Sequence, residues 1–423
     1  MEYQPRVVDA LLRELVEGLP AVSVEGAKGV GKTATAERLA TSRVELDREG
    51  QRANVAADPQ LVTGLDPPAL IDEWQLVPAV WNVVRREVDH DRTPGRFILT
   101  GSSTPAKDAR LHSGAGRIVR LTMRPMTLPE RGVTEPTVSF KDLLAGENPD
   151  VEGRSGFGLI DYTDEILASG FPGIRQDPPK LRARQLDSYI SSVLEREIPE
   201  LGVRIRRPRA LRAWLAAYAA ATATTASYSA ILDAATPGEP DKASEATLRA
   251  YRELLERMWL LDPLPAWVPA LNPLTRLGQT PKHFLADPAL AARLLGATRQ
   301  SLLRDDDSHP MPRDGTLLGA LFESLVALSV RVFAEPLGAT VSHLRIRGGD
   351  HEVDLIVERD DHRVLAIEVK LGASPSASQT RHLAWLGGEI GDRLIGRVVV
   401  TTGPFAHRTA DGTIAVPLAL LGP

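Results

Sequence analysis

Apolar residues along the first 125 positions follow two alternating spacings. A spacing of three to four residues predicts helices at 7–16 and 32–40, and the mainly apolar segment 21–25 predicts a buried strand between them. Further apolar runs of strand length are 44–46, 69–71, 97–100 and 118–121. Strands separated by helices are typical of a parallel sheet. Residues 1–125 are therefore predicted to form an α/β domain.

After residue 125, the pattern of apolar and polar residues changes three times. Prolines and glycines interrupt it, and helical spacing then resumes, which predicts a helical connector or lid at 126–210. Three short helical patterns are followed by the apolar runs 259–261 and 267–268, which could pair as a small hairpin wing. Together they predict a winged-helix-like domain at 211–304. After a polar linker, a helix, several strands and another helix predict a second α/β domain at 314–423.

Composition narrows the class of protein. The chain has 423 residues, no cysteine and a formal net charge of −5. Its length calls for several domains, and the lack of cysteine excludes a disulfide scaffold, a Cys-ligated zinc site and thiol catalysis. Any nucleic-acid binding would need a local basic patch, because the net charge is small. With no purely apolar run of 18 residues and no signal-peptide core, we expect a cytoplasmic protein without a membrane span.

The segment Gly26–Thr33 fits the phosphate-binding pattern G-x-x-x-x-G-K-[ST], and it lies between a predicted strand and a predicted helix. Its glycines let backbone N–H groups turn towards a phosphate. Lys32 is expected to reach the β- and γ-phosphates of ATP, and Thr33 to bind Mg²⁺. The alternative is a glycine-rich turn that happens to contain a lysine. The expected nucleotide contacts are Gly26, Lys28, Gly29, Val30, Gly31, Lys32 and Thr33.

Two carboxylates follow the apolar run 69–71. Asp72 is predicted to complete the Mg²⁺ site, and Glu73 to polarise the attacking water. Such a pair at the end of a strand is often only solvated, but the upstream loop favours the catalytic interpretation.

Two further residues are weaker candidates for contacts to the γ-phosphate. Ser102 follows the strand 97–100 and would lie between the acidic pair and the phosphate, although a simple Gly-Ser turn explains it as well. Arg117 would reach the γ-phosphate of its own or a neighbouring subunit, and its alternative is a surface ion pair.

These motifs together resemble the AAA-type ATPases of bacteria and archaea whose ATPase domain precedes a C-terminal region of unassigned function. The later parts of the resemblance are Ser169–Pro172, the helical middle, Glu352–Asp354 and Glu368–Lys370. The resemblance implies an ATPase domain, a helical and winged-helix-like middle and a restriction-endonuclease-like end. Lys28 departs from the family, which more often has Arg within the loop.

The middle of the chain has two basic features. The predicted third helix, 244–257, mixes arginines with glutamates, as a solvated face does. A denser cluster precedes the first helix, and its arginines could neutralise DNA phosphates or pair with an acidic neighbour. Its members are Arg204, Arg206, Arg207, Arg209 and Arg212.

The runs 352–357 and 364–370 predict a β-hairpin with its turn centred on Asp361. That register pairs Asp354 with Glu368 and Glu352 with Lys370, and places all four side chains on one face. Opposed carboxylates repel each other, so a cation must offset them. Mg²⁺ or Mn²⁺ suits such ligands.

The predicted C-terminal metal ligands are therefore Asp354 and Glu368, with Glu323 of the preceding helix as a further ligand. Lys370 would activate a metal-bound water or stabilise the transition state. This spacing is that of the PD-(D/E)xK nucleases, except that Val353 replaces the proline of the motif. The alternative is a solvated hairpin face with a Glu352–Lys370 ion pair.

Three interpretations of function remain open. The first is an ATPase coupled to a DNA-binding, Mg²⁺-dependent nuclease domain. The second is a nucleotide-driven switch that binds DNA or a protein, with a silent nuclease-like module. In the third, the C-terminal half only mediates assembly, and a homo-oligomer is compatible with all three.

Overall fold

The computed structural model describes residues 3–102, 115–146, 149, 151–200, 205, 208–236, 245–269, 279–304, 311–312, 315–346, 351–373 and 377–423. The N-terminal strands are β1 Ala21–Glu25, β2 Ser42–Glu45, β3 Ala69–Asp72, β4 Phe97–Gly101 and β5 Val119–Thr122. The accompanying helices are α1 Val8–Gly18, α2 Lys32–Glu37, α3 Glu49–Ala57 and α4 Ala79–His90.

The five N-terminal strands form one sheet in the order β2-β3-β4-β1-β5, and every pair is parallel. The α/β prediction is confirmed, although α2 ends earlier than the predicted 32–40. Asp72 pairs with Thr100 and Glu25 with Gly101, so the carboxyl ends of β1, β3 and β4 meet at one edge. The loop Gly26–Thr33 begins at that edge.

The connector and the middle are mainly helical. The strands here are the short β6 Val138–Ser139, β7 Gly153–Arg154 and β8 Ala266–Trp267. The connector helices are α5 Phe140–Ala145, α6 Leu159–Ala168, α7 Pro172–Arg175, α8 Pro179–Ser192 and α9 Ile198–Glu200, with a π-helical turn at Val193–Glu197. The middle helices are α10 Pro208–Ala220, α11 Tyr228–Ala235, α12 Glu245–Arg257, α13 Pro288–Leu294 and α14 Arg299–Leu302.

The strand pairing predicted for the wing is wrong. The three predicted helices are present, but Trp267 does not pair with the run 259–261. Instead Leu261 pairs with Leu285 and Leu264 with Lys282, while β8 joins the C-terminal sheet. Residues 279–286 are polar and apolar in no clear alternation, so the pattern did not mark them as the partner strand.

The remaining elements form the C-terminal α/β unit. Its strands are β9 Leu303–Arg304, β10 Met311–Pro312, β11 Thr340–Arg345, β12 Glu352–Glu358, β13 Val364–Lys370, β14 Leu394–Thr401, β15 Phe405–Arg408, β16 Ile414–Pro417 and β17 Leu421–Gly422. Its helices are α15 Gly315–Ala334 and α16 Ala377–Ile390. An eight-stranded mixed sheet runs β7-β15-β16-β14-β13-β12-β11-β8, so it incorporates strands from the connector and the middle.

The hairpin of β12 and β13 has the predicted register. Leu355 pairs with Ile367, and Glu358 with Val364. Continuing that register places Asp354 opposite Glu368. The hairpin is buried on both faces, because α15 packs on one and α16 on the other.

Helix α15 is central to the molecule. Its apolar residues belong to one continuous core that extends from Val8 in α1 to Leu421 in β17. The segment Gly315–Leu337 is long and apolar enough to cross a membrane, with mean hydropathy 1.8 in its most apolar window, but 72% of that window is buried inside the protein. Its packing between the sheet and the helices accounts for its apolar composition.

Candidate functional sites

The phosphate-binding loop lies tightly against the strand end that follows β5. A Cβ atom at Gly26 would approach the Met123 carbonyl oxygen to 2.1 Å, so only glycine fits there. Gly31 has φ +101° immediately before α2, a conformation that side chains disfavour. The loop sequence is therefore required by its conformation.

Lys32 is the buried cation of this loop. Its side chain folds back, and Nζ donates to the carbonyl oxygens of Gly26 and Ala27, each at 2.9 Å. Burial lowers the pKa of Lys32 to about 8, and the nearby carboxylates of Glu73 and Asp72 partly offset this effect. The ammonium is thus held inside the loop at the position where phosphate oxygens would bind.

Thr33 and Asp72 meet beside it. The Thr33 hydroxyl donates to Asp72 Oδ1 at 2.8 Å, and the Thr100 hydroxyl also donates to that oxygen. A hydroxyl and a carboxylate that converge in this way are the hard oxygen ligands that Mg²⁺ takes alongside nucleotide phosphates. The residues present fit Mg²⁺.

Glu73 lies at the same edge with φ 53°, a left-handed conformation that is uncommon for glutamate and frequent at functional sites. The Ser102 hydroxyl donates to Glu73 Oε2 at 3.3 Å, and Gln75 Nε2 donates to the same oxygen. The structure therefore brings Asp72, Glu73 and Ser102 together. Gln75 was not predicted, because nothing in its local sequence distinguishes it.

Two of the predicted nucleotide contacts form ion pairs with acidic residues. Arg117 precedes β5 at the opposite edge of the parallel sheet, and its Nε donates to Asp89 Oδ1 at 2.8 Å. The surface ion pair that was its alternative is therefore present, and a contact of Arg117 to the γ-phosphate of its own or a neighbouring subunit stays a prediction. Lys28 is half exposed, and its Nζ lies 3.4 Å from Glu197 Oε1.

The buried side chain of Arg6 stabilises the phosphate-binding loop, a role that was not predicted from the sequence. It is 7% exposed and donates to the carbonyl oxygens of Val30 at 2.7 Å and Arg124 at 2.6 Å, while pairing with Glu130 at 3.0 Å. An arginine before a helix carries no sequence signal for this role.

A cavity of about 290 Å³ opens beside Gly31 and Thr35. Its other lining residues include Tyr3, Arg38, Pro172 and Gln176. The Arg38 guanidinium stacks on the Tyr3 ring at 4.3 Å. The cavity thus joins the loop to the turn that begins α7.

The C-terminal acidic residues also come together, around a lysine that was not predicted. Lys282 is 1% exposed, and its Nζ lies 2.8 Å from Glu323 Oε1, 3.1 Å from Asp354 Oδ1 and 3.3 Å from Glu352 Oε1. Lys370 Nζ lies 2.6 Å from Glu368 Oε2 and 3.6 Å from Asp354 Oδ2. We call these six residues the acid–lysine cluster.

Burial and charge shift the pKa values within this cluster. Burial raises the pKa of Glu323 and of Glu368 to about 8 in each case, and the charge of Asp354 adds to both shifts. Burial alone would raise the pKa of Asp354, but Lys282 and Lys370 bring it below its ordinary value. The attraction of Asp354 and the glutamates outweighs burial at Lys282, whose pKa is raised.

A divalent ion does not fit this arrangement. Ammonium groups contact the carboxylates at the positions predicted for metal ligands, and among the described residues no group of three His, Cys, Asp or Glu side chains converges as a metal site. The predicted grouping of Asp354, Glu368 and Lys370 is present, with Glu323 beside it, but the predicted metal between the acids is replaced by lysine.

The basic cluster of the middle lies partly outside the described residues, since Arg204, Arg206 and Arg207 are not described. Arg209 is exposed. Arg212 donates to Ser191 Oγ at 3.2 Å and lies 3.9 Å from Asp187.

Three family models match successive parts of the chain. Residues 19–131 match the AAA domain, residues 159–301 a domain of unknown function (DUF8612), and residues 318–421 another domain of unknown function (DUF4143). The first match covers the phosphate-binding loop, Asp72, Glu73 and Ser102.

Full-length relatives carry no assigned function. Uncharacterized proteins of Mycobacterium bovis and Mycobacterium tuberculosis are each 28% identical over 426 residues, covering 99% of this chain and 84% of theirs. The Walker-type ATPase of Pyrococcus abyssi is similar in structure with a TM-score of 0.40 and 17% identity, over 68% of this chain and 94% of that one. The chain thus begins with an AAA-type P-loop ATPase domain, which two domains of unknown function follow.

Proposed function

We propose that this protein hydrolyses ATP with Mg²⁺ and uses the reaction to switch its C-terminal half between states. The observation that carries the first part is the meeting of Lys32, Thr33 and Asp72 at one sheet edge, with the Thr33 hydroxyl 2.8 Å from Asp72. Bound Mg²⁺ would neutralise phosphate charge and orient the γ-phosphate.

Each residue then has a distinct task. Lys32 exchanges the carbonyl oxygens of Gly26 and Ala27 for phosphate oxygens, while Thr33 and Asp72 hold the ion. Glu73 positions the attacking water and accepts its proton. Ser102 and Gln75 hold the Glu73 carboxylate at the sheet edge, where the γ-phosphate would lie.

The cavity beside Gly31 would take the nucleotide base. It is continuous with the loop, and the Tyr3 ring and the Arg38 guanidinium supply flat surfaces for stacking. Pro172 and Gln176 belong to the connector, so a bound base would contact both the ATPase domain and the connector.

The connector gives the nucleotide site a physical link to the rest of the chain. Phe171 lies against Gly29 of the loop, and the preceding Gly170 N–H donates to Asp287 Oδ2 at 2.6 Å. Asp287 lies five residues after Lys282 in the chain. A displacement of the loop by a nucleotide would therefore be transmitted through these contacts to the helical middle of the chain.

A second link runs through buried charges. Arg124 pairs with Asp262 at 2.8 Å, and Arg331 of α15 pairs with the same carboxylate at 2.7 Å. Arg124 directly follows Met123, whose carbonyl oxygen contacts Gly26. These pairs join the loop to the helix that also carries Glu323.

For the output we favour a switch that binds DNA or a protein partner, with a nuclease-like domain that does not cleave. The predicted cleavage of DNA would require a divalent ion between Asp354 and Glu368, and the positions around them hold lysines. DNA binding would rest on the arginines near 204–212, of which Arg209 is exposed. Assembly into a homo-oligomer is compatible with this function.

ATP turnover and a DNA assay test this proposal together. The wild-type protein should hydrolyse ATP only with Mg²⁺, and Glu73→Gln should bind ATP without turnover. A salt-dependent gel shift with no nicking in Mg²⁺ or Mn²⁺ would support the silent module. Nicking that Asp354→Ala abolishes would instead establish a nuclease.

A further inference from the structure

Lys282 is placed at the centre of three protein elements. It forms an isolated β-bridge with Leu264, while its three carboxylate partners come from α15 and β12. Nζ donates to Glu323 Oε1 at 2.8 Å and to Asp354 Oδ1 at 3.1 Å, and forms an ion pair with Glu352 Oε1 at 3.3 Å. Three carboxylate oxygens thus surround the ammonium group.

The burial of this side chain makes the arrangement costly to lose. A lysine that is 1% exposed is almost never found in proteins unless its charge is paired. Removing one partner of a buried ion pair leaves an uncompensated charge. Lys282 and the acids therefore need one another.

The charges of the cluster also indicate that the acids need Lys282 as a counter-charge. The four carboxylates are Glu323, Glu352, Asp354 and Glu368. Lys282 and Lys370 oppose them, and Arg345 lies 3.8 Å from Glu352 at the rim. Three cations therefore face four carboxylates, and the side chain of Lys282, 1% exposed, is the most deeply buried of the three.

One oxygen of the cluster has no partner. Glu368 Oε1 is buried without a hydrogen bond, while Glu368 Oε2 accepts from Lys370. Glu368 is thus paired with Lys370, while Lys282 pairs with the other three carboxylates.

We infer that Lys282 is a built-in counter-ion that occupies the divalent-cation position of a nuclease-like site, and that removing its ammonium group converts the cluster into a metal site. This inference rests on the proposed silent module, and it explains why the acids are retained without cleavage. With Lys282 gone, the oxygens of Asp354, Glu323 and Glu352 that now surround the ammonium group would be free to close around a divalent ion as hard ligands.

The experiment counts bound Mn²⁺ by electron paramagnetic resonance in the nucleotide-free, full-length protein. Wild type should bind no ion at micromolar Mn²⁺, whereas Lys282→Met should bind one per chain and gain thermal stability from it. Lys180→Met is the matched control, because it makes the same chemical change at an exposed position away from the cluster. It should behave as wild type.

Two outcomes would overturn the inference. One is an ion bound to wild type and lost in Asp354→Asn, with or without a non-hydrolysable ATP analogue. The other is a folded Lys282→Met protein that binds no Mn²⁺. If Lys282→Met does not fold, the number of Mn²⁺ ions bound to wild type still tests the inference through the first outcome. Because the count needs no ATP turnover, failure of the ATPase proposal would leave it unchanged.

Discussion

The two acidic sites of this protein contain similar residues and differ in where the lysine points. At the ATPase edge, Lys32 bonds to carbonyl oxygens of its own loop, and Asp72 accepts hydrogen bonds from the hydroxyl groups of Thr33 and Thr100. In the acid–lysine cluster, Lys282 bonds directly to Asp354 and Glu323. The first site keeps its carboxylate and its cation apart, so it can receive a phosphate and an ion. In the second site, the lysines of the cluster neutralise its carboxylates.

The comparison shows that acidic residues at a sheet edge do not by themselves specify a metal site. The position of the nearest buried cation decides between ligand binding and self-neutralisation, because an ammonium and a divalent ion compete for the same oxygens. Each of the following changes tests one side of this comparison.

The largest effect is expected at Lys32. Lys32→Ala should lower ATP turnover at least about 100-fold, because it removes the cation that opposes phosphate charge. A coupled ATPase assay measures this, and a melting curve shows whether the fold is kept. Lys28→Ala, at a half-exposed position paired with Glu197, is the matched control and should retain most activity. Normal turnover in Lys32→Ala would contradict the assigned site.

The next effect concerns stability of the acid–lysine cluster. Lys282→Ala should lower the free energy of unfolding by about 3–5 kcal/mol, because it leaves buried carboxylates without their counter-charge. Lys370→Ala should cost less, since that side chain is 26% exposed. Urea denaturation compares the two variants. Equal losses would mean that Lys282 is no more important than a rim lysine.

A pH dependence follows from Glu368. Its pKa in the folded protein, about 8, lies above its ordinary 4.5, so the folded state binds the proton more tightly. The resulting stability is complete at acidic pH and is lost as the pH rises through 8. The slope should approach about 1.4 kcal/mol per pH unit for one proton.

The check is the urea midpoint of wild type and Glu368→Gln across about pH 6 to 9. Wild type should lose stability with rising pH, and the amide variant should show a flatter profile. Parallel profiles would assign the dependence to another group, with Glu323 the first to test because its pKa is also raised to about 8.

The smallest effect is expected at Arg117. Since Arg117 lies at the far edge of the sheet and pairs with Asp89, Arg117→Ala should leave turnover within about twofold of wild type in dilute protein. Turnover measured over a range of protein concentrations separates the possibilities. A loss that appears only where chains associate would assign Arg117 to a neighbouring subunit's nucleotide.

Much of the fold could be predicted because its elements carry local patterns. The strands at 21–25 and 97–100 are buried throughout, and most of their residues are apolar. The register of β12 and β13 followed from the period of two and a short turn. The loop Gly26–Thr33 could be predicted for the same reason, since its conformation dictates its glycines.

Lys282 could not be predicted in this way. Its contacts with Glu323 and Asp354 join residues 41 and 72 positions apart, and such pairing leaves no periodic trace. A weak signal existed in composition, because the chain has only 8 lysines among its 50 basic residues. The pairing of Leu264 with Lys282 could not be predicted for the same reason, since the two residues lie 18 positions apart.

The most direct test of the central contrast is the number of Mn²⁺ ions bound per chain with a non-hydrolysable ATP analogue present. We predict one ion, lost in Thr33→Ala and unchanged in Asp354→Asn, because only the ATPase edge leaves its carboxylate available. Two ions, one of them lost in Asp354→Asn, would contradict the account.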